Sequence, residues 1–189
     1  MTEIGASVME RDHREPGDRL FGLYAAIVRE VNDPQGKGRV RVACAAIAPD
    51  YLSDWIQVVQ ADAGPNYGAY FIPEEKDQVV IAFLNGSTRS PVVMGSLYSD
   101  KNQPVMARGA DSVPRYFVTP GGHMIVMEDK KRRRIEIVDG TGSNSIVIDT
   151  EKNKITISAS GDVEIAAGGD LKLSATGSVK VTGTTINLN

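Results

Sequence analysis

The C-terminal part of the chain repeats a short pattern every eight residues. Segments 161–165, 169–173 and 177–181 read GDVEI, GDLKL and GSVKV, and NKITI at 153–157 keeps the same register. Each repeat predicts a short strand, in which side chains alternate between two faces, followed by a turn. A unit of this size cannot bury its apolar face alone, so the missing neighbours must come from other copies of the chain. The repeat therefore predicts an obligate oligomer with a rod-like end.

One face of this rod is predicted to be apolar and buried. The opposite face carries charged and hydroxyl side chains, such as Asp162 and Lys172. Glycine opens each of the last three units, at Gly161, Gly169 and Gly177, and tolerates the backbone angles of a corner. The residues that we expect to form the core of the rod and the contact between copies are Ile146, Ile148, Ile155, Ile157, Val163, Ile165, Leu171, Leu173, Val179, Val181, Ile186 and Leu188.

Composition changes sharply before the repeat. Every aromatic residue lies at or before Phe117 and every proline at or before Pro120, whereas Gly, Ser, Thr, Val and Ile dominate the C-terminal residues beyond them. Thin strands around a narrow axis have this composition because there is no room for rings. We therefore assign residues 121–189 to the repeat-containing domain and the proline-punctuated segment 101–120 to a linker.

Residues 20–100 are predicted to form a small β-barrel of the OB type. Several short strands alternate with turns, and Asn-Gly at 85–86 is a strong hairpin signal. A strand is predicted at 69–72, and Trp55, at the start of another, is expected to anchor the barrel core or a contact between subunits. Residues 1–19 are polar and form either a flexible arm or a short helix. The whole chain is thus predicted to be all-β.

Charge and cysteine content argue against several classes of function. The net charge is −3 and the sequence pI is about 5.4, whereas a nucleic-acid binder normally has a basic face. The single cysteine, Cys44, lies in an apolar run and is interpreted as a buried core residue rather than a reactive thiol. No segment approaches the ~18 apolar residues of a membrane-spanning helix, and no signal peptide is evident. These features favour synthesis in the cytoplasm.

Several pieces of the sequence resemble a known family. DWIQV at 54–58, GAYFIPE at 68–74, DQVVIAF at 77–83 and RSPVVMGSLY at 89–98 are similar, in this order, to the OB domain of phage baseplate assembly protein V and of VgrG. These are the central spike proteins of contractile phage tails and of type VI and related injection machines. GGH at 121–123 and NSIVID at 144–149, together with the octad repeats, resemble the β-helical needle of the same family.

The resemblance implies a homotrimer. Three OB barrels would surround a three-fold axis, and three C-terminal segments would intertwine into a triangular β-helical prism. The implied role is structural and not enzymatic: a central spike, in a virion tail baseplate or an injection particle assembled in the bacterial cytoplasm, that nucleates the baseplate and links the hub to the membrane-piercing tip. Other baseplate and tail-tube proteins would be its neighbours.

Two further partners are expected from what the chain lacks. Because only about twenty residues precede the barrel, the resemblance implies a separate hub protein. Family members with an iron-binding apex carry a His-x-His motif, which does not occur in this sequence, so no metal or cofactor is predicted. A separate PAAR-like tip protein is expected to bind a platform formed by Ile186, Asn187, Leu188 and Asn189.

Other candidate sites are weak. The basic run at 130–134 has no aromatic support for binding nucleic acid and is interpreted as a solvated hairpin tip. Glu74 and Glu75 are interpreted as loop charges rather than catalytic carboxylates, and His123 as a turn residue because no second metal ligand is spaced for it. The rival functions are an OB-fold module that binds oligonucleotides or oligosaccharides, and a cell-wall hydrolase of the tail tip, for which the sequence shows no catalytic constellation.

Overall fold

Two five-stranded sheets and one small hairpin make up the sheet structure of the described residues. In the computed structural model, which describes residues 19–187, the sheets belong to separate units, one ending at Val105 and the other beginning at Met106. The described residues contain no α-helix and one short 3-10 helix, Leu84–Gly86. The prediction of an all-β chain is therefore confirmed for this range.

The first unit is a sheet whose two edges are joined. Its strands are β1 (Leu23–Glu30), β2 (Arg41–Ala43), β3 (Gln57–Val58), β6 (Gln78–Phe83) and β7 (Pro91–Leu97), in the order β2-β1-β6-β7-β3, with β4 (Ala63–Gly64) and β5 (Tyr67–Gly68) forming a separate hairpin. Just before the edge strands β2 and β3, Val40 and Ile56 exchange backbone hydrogen bonds of 3.0 and 2.9 Å. This bridge closes the sheet on itself, as an OB barrel requires.

Alternating side chains on the strands of the first unit fill one enclosed core. Val79, Ile81 and Phe83 of β6 are buried in this core together with Ala26 and Val28 of β1, and Ala26 lies opposite Val79 in the strand register. The other members of the core are Val40, Val42, Cys44, Ile56 and Val93. Cys44 is therefore a buried core residue, as its apolar neighbours in sequence indicate.

Two local predictions for the first unit differ from the structure. Residues 69–72 form no strand, because the hairpin β4–β5 precedes them and the side chain of Gln60 binds the backbone of Phe71 in place of a neighbouring strand. Asn85 and Gly86 do not make a two-residue hairpin turn. They have positive φ angles of 53° and 75° inside the short 3-10 helix, and the connection continues to Ser90 before β7 begins.

The second unit is an antiparallel meander. Its strands are β8 (Pro114–Val118), β9 (Met124–Glu128), β10 (Arg134–Val138), β11 (Ser145–Asp149) and β12 (Lys154–Ser158), each paired with the next. Strand β8 lies inside the segment 101–120 that sequence analysis assigned to a linker. Pro114 takes the first position of this strand, where a missing N–H is tolerated.

Candidate oligomerisation surface

The second-unit sheet exposes a continuous apolar face. In the strand register, Ile137 lies opposite Ile125 and Ile146, and the next row places Ile135 opposite Met127 and Ile148. Exposure of these side chains runs from 37% at Met127 to 69% at Ile155, although apolar strand residues usually face a core. The members of this apolar face are Phe117, Ile125, Met127, Ile135, Ile137, Ile146, Ile148, Ile155 and Ile157.

The segment that precedes the sheet contacts its opposite face at β8 and β9. Val126 is 8% exposed, and Tyr116 Oη donates a hydrogen bond to the Met106 carbonyl at 3.2 Å. Glu128 accepts hydrogen bonds from Ser112 Oγ at 2.6 Å and from the Val113 amide at 3.0 Å, and these bonds lower its pKa to about 2. The chain therefore covers the β8–β9 part of this face and leaves the apolar face open.

The repeats continue the apolar pattern beyond the last strand. Residues 161–187 form no strand within one chain, and all of their side chains are exposed. The exposed fraction of the predicted core residues in this octad segment ranges from 49% at Ile186 to 71% at Leu173. The set also includes Val163, Ile165, Leu171, Val179 and Val181. A single chain therefore gives none of these side chains the cover that was predicted for them.

The connections of the meander are longer than those of the octads. The loops between β8 and β12 contain four to six residues, whereas each octad leaves three residues between its five-residue segments. At Gly161, Gly169 and Gly177, an added Cβ would meet no atom within 4 Å in a single chain. Their role as corners therefore stays a prediction about an assembled form.

The β8–β9 turn and the β10–β11 turn, at one end of the strands of the second sheet, lie against each other. An added Cβ at Gly140 would come within 2.1 Å of the Gly121 carbonyl oxygen, so only glycine fits there. His123 Nδ1 accepts a hydrogen bond from the Gly140 amide at 3.1 Å. His123 is thus a turn residue that joins two turns, and no group of metal-binding side chains occurs within residues 19–187.

The basic run lies at the other end of these strands, in the exposed turn between β9 and β10. Arg133 has a positive φ of 36°, and Arg134 pairs with Glu136 along the strand. Arg115 pairs with Asp129 at 2.9 Å beside the turn. These positions agree with a solvated hairpin tip.

The structure does not bring Trp55 and the predicted tip platform together with the apolar face. Trp55 is half-buried and lies outside the core, which receives its neighbour Ile56 instead. Of the predicted tip platform, Ile186 and Asn187 are exposed, and Leu188 and Asn189 lie outside the described residues. The sequence analysis did not include Ile125, Met127, Ile135 and Ile137 among the site residues, although their period-two alternation was a usable signal.

Comparison with known proteins identifies the first unit. Residues 24–98 match the family model of the type VI secretion system/phage-baseplate injector OB domain. This segment belongs to that family. The injector OB domain accounts for the joined sheet of the first unit, and it ends before the second unit begins.

Curated relatives of the chain are spike proteins. The type VI secretion system spike protein VgrG1b of Pseudomonas aeruginosa is 32% identical over 110 residues, which cover 54% of this chain and 14% of the relative. The spike protein VgrG3 of Vibrio cholerae is 38% identical over 87 residues, covering 40% and 9%. The actin cross-linking toxin VgrG1 of Vibrio cholerae is 38% identical over 52 residues, covering 28% and 5%.

These matches confirm the resemblance to VgrG-like spike proteins. The chain spans no more than about a sixth of the length of these relatives. The family match covers residues 24–98, and the apolar face and octad segment lie beyond these residues. No helix in the described part of the chain is long and apolar enough to cross a membrane.

Proposed function

We propose that this protein is the homotrimeric central spike of a contractile baseplate. In this proposal three injector OB domains surround a three-fold axis, and the second units and octad segments of three chains intertwine into a triangular β-helical needle. The observation that carries the proposal is the open apolar face, because it continues in the same alternation through the octads. A structural, non-enzymatic role fits a chain that exposes apolar side chains in a repeating pattern along the second unit and the octads.

The energetics of one octad support assembly with identical copies. Two buried aliphatic side chains contribute about 3–6 kcal/mol, whereas ordering the backbone of eight residues costs about 8–16 kcal/mol. Burial within a single octad is therefore too small to keep its backbone ordered as a strand. In an intertwined trimer, each octad strand gains backbone hydrogen bonds from neighbouring strands as well as burial, and a prism of three walls leaves no open edge along its sides.

The proposed partners are those of a central spike in a contractile baseplate. A separate hub protein would bind above the injector OB domains, and other baseplate and tail-tube proteins would surround them. A PAAR-like tip protein would cap the C-terminal platform of Ile186, Asn187, Leu188 and Asn189. The spike would be synthesised and assembled in the bacterial cytoplasm and would act in a virion tail or an injection particle, where sheath contraction drives it into a target envelope.

Sedimentation of the purified full chain tests the proposal. We expect a species of three times 20.3 kDa that resists dilution, because interlocked chains dissociate slowly. A trimer that also unfolds slowly in denaturant would support the intertwined needle. A stable monomer would contradict the proposal, because the apolar face and the octads would then be solvated.

A further inference from the structure

The sequence contains a single Asn-Gly pair, Asn85-Gly86, in the connection between β6 and β7. Asparagine followed by glycine readily loses its side-chain amide, because glycine has no side chain to hinder attack by its own backbone nitrogen on the Asn Cγ. The Asn85 side chain is exposed to water, whereas Gly86 is buried. The pair is therefore chemically labile, and its local geometry decides whether it reacts.

The backbone angles of Asn85 keep the two reacting atoms apart. Its φ is 53° and its ψ is 26°, in the left-handed region that asparagine tolerates. A five-membered succinimide ring closes only when the Gly86 nitrogen lies on the same side of the Cα–C bond as the Asn85 Cβ. At a ψ of 26° that nitrogen lies close to the Asn85 nitrogen instead, nearly opposite the Cβ. A large rotation about this bond must therefore precede any reaction.

Backbone hydrogen bonds on both sides of the pair oppose this rotation. The Ser87 amide donates to the Leu84 carbonyl at 2.9 Å, across Asn85-Gly86. The Leu20 amide donates to the Gly86 carbonyl, also at 2.9 Å, and so ties the pair to the segment that enters the barrel. Because the rotation moves Gly86 relative to Leu84 and Leu20, it breaks both bonds.

The entry segment, residues 19–21, also packs directly on the Gly86 backbone. An added Cβ at Gly86 would lie 2.8 Å from the Phe21 ring and 3.3 Å from the Arg19 Cβ. Arg19 forms a bridge to Ser87 as well. Phe21 remains 68% exposed, so this contact lies at the surface of the barrel, where local opening costs least.

We propose that Asn85-Gly86 is a latent deamidation site that reacts only after the entry segment has moved away. In the open state the Gly86 nitrogen gives up its proton and attacks Asn85 Cγ. The side-chain amide group leaves with that proton as ammonia, and a succinimide forms. Water then opens the ring at either carbonyl, which gives isoaspartate or aspartate with one added negative charge. Water is the only reagent, and the inference does not depend on the proposed role as a spike.

The reaction makes the opening irreversible. Isoaspartate routes the main chain through the former side chain and so adds one carbon atom to the turn. The lengthened turn no longer matches the hydrogen bonds that Ser87 and Leu20 donate, so the entry segment cannot return to its place. A molecule that has opened and reacted therefore keeps a permanent chemical record of the opening.

Peptide mass analysis of the full chain tests the inference. After incubation in neutral buffer, peptides that contain residue 85 are scored for the mass gain of amide loss and, by chromatographic retention, for isoaspartate. The folded chain should react roughly ten- to a hundredfold more slowly than the same chain in urea, because each of the two backbone hydrogen bonds contributes a factor of about three to ten. Asn85→Gln should abolish the signal and so identify the site.

Matched variants separate movement of the entry segment from unfolding of the barrel. Phe21→Ala should speed amide loss about three- to fivefold, because about a third of that side chain is covered. Phe21→Leu keeps an apolar cover on Gly86 and should fall between Phe21→Ala and the wild type. Phe71→Ala removes a phenylalanine of similar exposure elsewhere on the barrel and should leave the rate unchanged. Ile81→Ala destabilises the core but keeps the entry segment, so it should also leave the rate unchanged.

Three outcomes would overturn the inference. Equal rates in the folded chain and in urea would show that the turn gives no protection. An unchanged rate in Phe21→Ala would show that the entry segment does not control the reaction. An acceleration in Ile81→Ala as large as that in Phe21→Ala would show that Asn85 reacts only when the whole barrel unfolds.

Discussion

Both units of this chain are built from strands whose side chains alternate between two faces. The apolar face is enclosed in the first unit and open in the second. In the first unit, the bridge between Val40 and Ile56 joins the sheet edges, so the inward face is enclosed by its own chain. In the second unit, no bridge joins β8 to β12 within the described residues, and the apolar face is open. Alternation therefore determines which side chains share a face, whereas the closure of the sheet determines what covers that face.

The largest expected effect is in the octads, whose apolar side chains differ most in exposure from the enclosed core of the first unit. Leu171→Asp would place three charges near the needle axis, and burial of an unpaired charge is very costly. We expect soluble trimer to be lost, as measured by sedimentation. Lys172→Asp is the matched control, because it introduces the same residue one position away, on the face predicted to be wet. A Leu171→Asp trimer with unchanged melting would contradict the inward assignment.

The same substitution at two sites compares burial within one chain with the proposed burial between chains. Ile81 is fully buried by its own chain, whereas Ile137 is 47% exposed in one chain. Ile81→Ala should cost about 2–5 kcal/mol of unfolding free energy in denaturant titrations and leave the trimer mass unchanged. Ile137→Ala should instead make the trimer dissociate at higher protein concentration. If Ile137→Ala had no effect on dissociation, the apolar face would not be a contact between copies.

The same comparison shows what the sequence could and could not predict. Period-two alternation placed Ile146, Ile148, Ile155 and Ile157 on one face, because a strand has only two faces. It did not predict the hairpin at 63–68, because that arrangement depends on the side chain of Gln60, which binds backbone eleven residues away. The proline-rich composition of the linker also concealed β8.

The assignment of Trp55 shows a related limit. A tryptophan at a strand start was expected to anchor the core or a contact between subunits, and the adjacent Ile56 occupies the core. Which of two neighbours points inward depends on strand register, and that register was set by the bridge to Val40, sixteen residues earlier in the chain.

A smaller effect is expected at the turns that the second unit packs by itself. Gly140→Ala should destabilise this unit by about 1–3 kcal/mol, because the Gly121 backbone cannot move aside as a side chain would. Gly142→Ala is the control: its site is open but has a φ of 73°, so it tests backbone strain without a clash. Thermal unfolding should rank Gly140→Ala as the more harmful. The reverse order would show that the two turns separate easily.

The smallest effect concerns the covered face of the second sheet and appears as a dependence on pH. Glu128 has a folded pKa of about 2, lowered chiefly by the hydrogen bond from Ser112 Oγ and then by backbone amides. A depressed carboxyl pKa contributes stability above its unfolded value of about 4.3, and this contribution is lost as the pH falls toward 2. Ser112→Ala should therefore make unfolding less sensitive to pH between these values. Equal pH slopes for the wild type and Ser112→Ala would show that the Ser112 hydrogen bond does not set the pKa of Glu128, and the bonds from the Val113 amide and from Tyr116 to Met106 would then be the ones that hold residues 106–113 on the sheet.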